Sequence, residues 1–78
     1  EKMEEHIEYG AFVYDKEHGK YEKLFSTSAS ALLAKNRAIE KAYELNRFMN
    51  RNFDASKVVV KRRHVYVIRE EWSECNED

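Results

Sequence analysis

Lys57, Lys61, Arg62, Arg63 and Arg69 crowd into one short segment of the chain, with Tyr66 among them. Ammonium and guanidinium groups hold phosphates, and an aromatic ring offers a face on which a base can stack, so this is the chemistry of nucleic-acid binding. Alternation divides the cluster. Neighbouring residues of a strand point to opposite faces, which sends Lys61 and Arg63 to one side and Arg62 and His64 to the other. A continuous basic track over residues 57–69 therefore needs a bulge, and the paired aromatic motifs of ribonucleoprotein-type sheets are absent. Nucleic-acid binding by this basic strand is the second of two functional readings.

The first reading comes from the apolar residues of the same segment. Val58, Val59, Val60, Val65, Tyr66, Val67 and Ile68 place apolar groups on both sides of an extended backbone. A sheet built on such a strand needs cover on two sides, and the remaining chain offers one long helix. The surplus face and a valine-rich edge suit a protein partner or a second copy of the chain, by apolar contact or by strand addition. Tyr66, Ile68 and Trp72 are the expected apolar contacts, with Arg62 and Arg63 supplying charge. The alternative fate of these side chains is cover by the N-terminal residues or by a curled tail.

Other chemistry has little to build on. His6, His18, His64 and Cys75 form no short metal-ligand spacing, so no metal site is expected. Cys75 stands beside Glu74 and Glu77, which disfavour a thiolate. Ser26, Thr27, Ser28 and Ser30 read as helix-capping residues rather than nucleophiles. Gly10 and Gly19 are the only glycines, which excludes a glycine-rich phosphate loop. The expectation is a protein that is not an enzyme, with no cofactor and no small-molecule substrate.

Size and composition agree with one small domain over residues 1–78. A chain of 78 residues buries about 60% of its unfolded surface, and 42% hydrophobic residues without proline suffice for a core. One cysteine makes no internal disulfide, and neither a secretory h-region nor an apolar run of about 20 residues is present. A reducing, cytoplasmic setting follows as the expectation. Charge is unevenly spread: residues 1–8 carry −3 and residues 70–78 carry −5 within a total of −1, leaving +7 between them. The acidic stretches at 1–5 and 73–78 read as frayed, solvated ends.

The elements that must position these groups follow the order β-β-α-β. Residues 7–14 are strand-prone, Asp15 to Gly19 can close a hairpin loop, and residues 20–25 return as a second strand. Thr27 or Ser28 is the expected cap of a helix over residues 29–51. On it Ala31, Ala34, Ala38, Ile39, Ala42, Leu45 and Met49 form one stripe, Leu32 and Tyr43 flank it, and Leu33 and Phe48 fall off it. Residues 53–56 read as a loop and residues 57–72 as one long strand kinked near Arg62 and Arg63, since no Gly, Asn or Asp there can make a tight turn. The fold class is α+β: a three-stranded antiparallel sheet packed on one long helix. Which sheet face meets the helix is left open by the pattern.

A hairpin ending in Phe25-Ser26-Thr27, an alanine-rich helix through Glu44-Leu45-Asn46 and a valine-lysine-arginine strand over residues 58–63 resemble the short β-β-α-β open reading frames of bacteriophages of Gram-positive hosts. The resemblance spans most of the chain and brings no functional residues. It implies a small modulator or inhibitor that binds a host protein, and hence a host-cytoplasmic setting.

Overall fold

The computed structural model describes residues 1–76 and has the expected architecture. Strands β1 (Lys2–Asp15), β2 (Lys20–Thr27) and β3 (Phe53–Arg69) form one antiparallel sheet in the order β2-β1-β3, with helix α1 (Ala31–Phe48) between β2 and β3 in the chain. The first strand is longer than the sequence pattern indicates. Residues 2–5, expected to fray, continue β1 and pair with residues 66–69. Glu77 and Asp78, part of the expected acidic C-terminal end, lie outside the described residues.

The helix meets the face that carries Ala11 and Val13. Ala34, Ala38 and Ala42 are fully buried against these two residues, Leu24 and Phe53, while Tyr9, Phe25, Leu45, Ala55, Val58 and Val60 close the rim. Alanine on the helix lets its backbone approach the sheet closely, so the larger strand side chains fill the layer. Ala31 and Met49, expected on the same stripe, are exposed at its two ends, as are the flanking Leu32 and Tyr43.

Two irregularities in the sheet shape this core. Pairing with β1 shifts from Phe25 to Lys23 between Ala11 and Phe12, so Leu24 is an extra residue and the adjacent Leu24 and Phe25 both pack on the helix side. On the other edge, Val13 pairs with Val58 but Tyr14 pairs with Asp54, and Ala55, Ser56 and Lys57 bulge from the strand. The kink of the last strand thus lies at 55–57 and not at Arg62 and Arg63, where register with β1 is unbroken. Asp54 stabilises it by accepting from the Ser56 N–H at 3.0 Å and from Ser56 Oγ at 2.6 Å. Residues 53–56 are therefore strand and bulge, not loop.

The helix ends differ from the sequence reading for local reasons. Ser30, with extended backbone, is the cap and accepts from the Leu33 N–H at 3.0 Å. Thr27 instead turns the chain by accepting from the Ala29 N–H at 3.1 Å. At the far end Asn50 takes a positive φ of 53°, a conformation asparagine tolerates better than most residues, and stops the helix before Arg51. Asn46 then seats the start of β3: its Nδ2 donates to the Phe53 carbonyl at 2.9 Å and its Oδ1 accepts from the Phe53 N–H at 2.7 Å. This side chain pairs as a neighbouring strand would.

The three strands are unequal in length, and β2 stops opposite Tyr9. Beyond that point β1 and β3 continue alone, as a two-stranded arm of residues 2–8 and 63–69. At about 3.4 Å per residue the arm reaches about 24 Å past the third strand. The radius of gyration is 17.3 Å, against about 11.5 Å for a compact chain of this size. Replacing Asn46 by alanine leaves both backbone groups of Phe53 without that partner, and a loss of about 1–3 kcal/mol in denaturant unfolding is expected; an unchanged midpoint would show that the start of β3 is held by something else.

Candidate functional site

The arm has two unlike faces. On the helix side Met3 opposes Ile68, Glu5 opposes Tyr66, Ile7 opposes His64 and Tyr9 opposes Arg62. The helix begins only where β2 has ended, so nothing among the described residues lies over Met3, Tyr66 and Ile68, which are 66%, 60% and 68% exposed. His64 stacks on Tyr66 with ring centroids 6.3 Å apart, and its Nδ1 lies 2.9 Å from a Glu5 carboxylate oxygen. This face is apolar with a narrow polar seam.

On the opposite face the acidic start of the chain lies against the basic end of β3. Arg63 donates to Glu8 at 2.8 Å and Arg69 donates to Glu4 at 3.1 Å. Residues 1–8 and the +7 body are therefore not separate charge domains, because register brings them into direct opposition. Each exposed pair contributes less than about 1 kcal/mol and weakens with salt. Their larger effect is on charge: two of the guanidinium groups proposed for phosphate contact already have carboxylate partners.

The five expected partner-binding residues are thus divided. Arg62, Tyr66 and Ile68 share the helix-side face, as alternation requires. Arg63 is on the other face against Glu8. Trp72 lies beyond the end of β3 at Arg69 and is fully exposed.

A second surface was not singled out by the sequence pattern. Among the described residues the body of the sheet has no helix on its other side, and Phe12, Tyr14 and Tyr21 stand there with Lys23, Lys57, Val59 and Lys61. Lys61 Nζ is 5.0 Å from the Phe12 ring centroid and Lys57 Nζ is 4.9 Å from that of Tyr14. Such contacts contribute about 0.5–1 kcal/mol each at exposed sites. Tyr14 and Tyr21 meet edge to face at 5.3 Å. The signal was present as alternation: Phe12 and Tyr14 share one parity on β1, and Lys57, Val59 and Lys61 share one on β3.

The densest polar cluster is at the other end of the sheet. Asp15, 1% exposed, accepts from the Glu17 N–H at 3.0 Å, contacts the His18 ring through Oδ2 and accepts from Arg51 at 3.2 Å. Arg51 also donates to Glu22 at 2.7 Å and lies over the Phe53 ring at 4.7 Å. Burial pushes the Asp15 carboxyl up, but hydrogen bonds from His18, Arg51 and Glu17 outweigh it and hold the group below its ordinary 3.8. Asp15, Glu17 and His18 come close enough to suggest metal ligation. With both Asp15 oxygens engaged and a guanidinium beside them, the cluster acts as a lock between the hairpin turn and the helix exit.

Comparison with protein-family models, with curated proteins and with solved structures gives no match. Among the described residues no helix is long and apolar enough to cross a membrane.

Because the folded chain binds the Asp15 proton less readily than the unfolded chain does, the stability it confers is fully present above pH 3.8 and is lost as pH falls through the lower folded value. Asp15→Asn should be less stable than the native chain at neutral pH, with the gap closing below that pH in thermal melts. A gap independent of pH would mean that the carboxylate charge is not what locks the turn.

Proposed function

We propose that the chain is a small non-enzymatic protein-binding module, a modulator or inhibitor in kind, that works through the β1–β3 arm in the cytoplasm. The observation that carries this reading is the exposure of Met3, Tyr66 and Ile68 together on one face of a two-stranded ribbon. Two strands alone are marginally stable in water, and a third strand or a packed face is the usual remedy. The arm offers both openings. Its helix-side face is apolar, and the outer edge of β3 and the β1 edge beyond Tyr9 leave main-chain groups unpaired within the sheet.

The partner is another protein or a second copy of the chain. A second copy places the same apolar face on both sides of a two-fold axis, which is self-complementary for Met3 and Ile68. Arg62, beside Tyr9 at the root of the arm, is the guanidinium available to that interface, whereas Arg63 is already paired. The arm's basic strand is a poorer nucleic-acid site than its sequence suggests, since Arg63 and Arg69 are paired with Glu8 and Glu4.

Tyr66→Ser with Ile68→Asp tests the reading directly. Both side chains are exposed in the single chain, so a stability change within about 0.5 kcal/mol per site is expected, while association should weaken by about thirtyfold or more if the pair forms a binding hot spot. Sedimentation equilibrium measures self-association and an affinity pull-down measures a foreign partner. A native chain that is strictly monomeric and captures nothing would overturn the reading. Removing residues 73–78 should weaken binding at low salt and not at high salt, if these acids meet a basic patch on the partner.

A further inference from the structure

The arm leaves the aromatic and basic surface of the sheet body without a role. We propose that this helix-free face is a second binding site, for single-stranded nucleic acid, with Phe12 as the stacking platform and Lys23, Lys57 and Lys61 as the phosphate contacts. The site is distinct from the apolar face of the arm and does not depend on it.

Gly10 shapes the site. It sits between Glu8 and Phe12 on the same face of β1, and with no side chain there the sheet backbone forms the floor of a depression of about 220 Å³ bordered by Phe12, Lys23, Lys61 and Arg63. A Cβ at Gly10 would stand 3.3 Å from both Lys23 Cδ and Phe12 Cε1, so the stem of Lys23 and the edge of the Phe12 ring form the nearest walls. One wall is a ring, Glu8 stands at the rim, and the other lining side chains end in cations. A base needs a π-face and a phosphodiester needs point charges nearby, and both are within a side chain's reach here.

Charge favours this ligand over others. Glu8, the acid at the rim, is already paired with Arg63. Asp54, near Lys57, is engaged by Ser56. Among the described residues no carboxylate lies within ion-pair distance of Lys23, Lys57 or Lys61, so three ammonium groups without a carboxylate partner border a surface whose centre is aromatic. An acidic protein segment would satisfy the cations and leave Phe12 and Tyr14 without partners; a nucleotide chain satisfies both. The two lysines now over rings exchange a weak exposed contact for a phosphate, which bares each ring for a base.

Fluorescence anisotropy with a fluorescein-labelled single-stranded oligothymidylate tests the site. Binding in the range of about 1–100 μM is expected at low salt, and three phosphate contacts predict about a twentyfold loss of affinity between 50 and 200 mM salt. Lys23→Glu with Lys61→Glu, both exposed and checked for folding by circular dichroism, should reduce that salt dependence to about threefold and weaken binding at low salt. Phe12→Leu, which keeps an apolar residue and removes the ring, should weaken binding about tenfold or more with the salt dependence intact. Ile68→Asp on the arm should bind the oligonucleotide normally, which separates this site from the arm's. Absence of binding at 50 mM salt, or equal binding by the lysine variant, would overturn the proposal. Displacement of the oligonucleotide by oligoglutamate of equal charge at equal concentration would overturn it in favour of an acidic protein segment.

Discussion

The constraint on which the rest depends is the early end of β2. At Thr27 the hydroxyl accepts from the Ala29 N–H and the chain leaves the sheet for the helix, while β1 and β3 go on pairing for several residues. Had β2 matched its neighbours, the sheet would be a conventional three-stranded layer. Instead one half of the molecule is a two-layer body and the other half a ribbon. The long radius of gyration, the exposure of Met3, Tyr66 and Ile68 and the open β1 edge beyond Tyr9 all follow from that difference in length.

The body compensates by economy. Three alanines on one helical stripe occupy little volume, so a single helix can be brought down onto Ala11 and Val13 and enclose a small core. The bulge at Leu24 adds a side chain to that layer, and the larger bulge at 55–57 bends β3 so that Phe53 closes its end. Asn46 and the Asp15–Arg51–Glu22 group then fasten the helix exit and the hairpin turn, with polar groups satisfying one another at partly buried positions. Among the described residues no buried side-chain polar atom lacks a partner.

Charge in this protein is arranged by strand register rather than by chain region. The acids of residues 1–8 face the arginines of β3 across the ribbon, so that a segment reading as strongly basic carries paired guanidinium groups on one face. Among the cations left without such partners, Lys23, Lys57 and Lys61 stand on the sheet body and border aromatic rings. The molecule therefore presents an apolar surface on one side of the arm and an aromatic, basic surface on the other side of the body.

The residues by themselves determined the element order, the alanine stripe, the hairpin loop at Asp15 to Gly19 and the single last strand, because each rests on local periodicity or on local turn chemistry. They also determined which residues of β3 share a face, since alternation from Val58 to Ile68 is a property of the strand. The tertiary structure decided what is non-local: which face meets the helix, that Ser30 and not Thr27 or Ser28 caps it, that the kink falls at 55–57, and that residues 2–5 extend β1. The physical reason is pairing. A strand's end and register are set by its neighbour's hydrogen bonds and charges, so Glu4 and Glu8 become structural only once Arg69 and Arg63 lie across from them, more than fifty residues away in the chain.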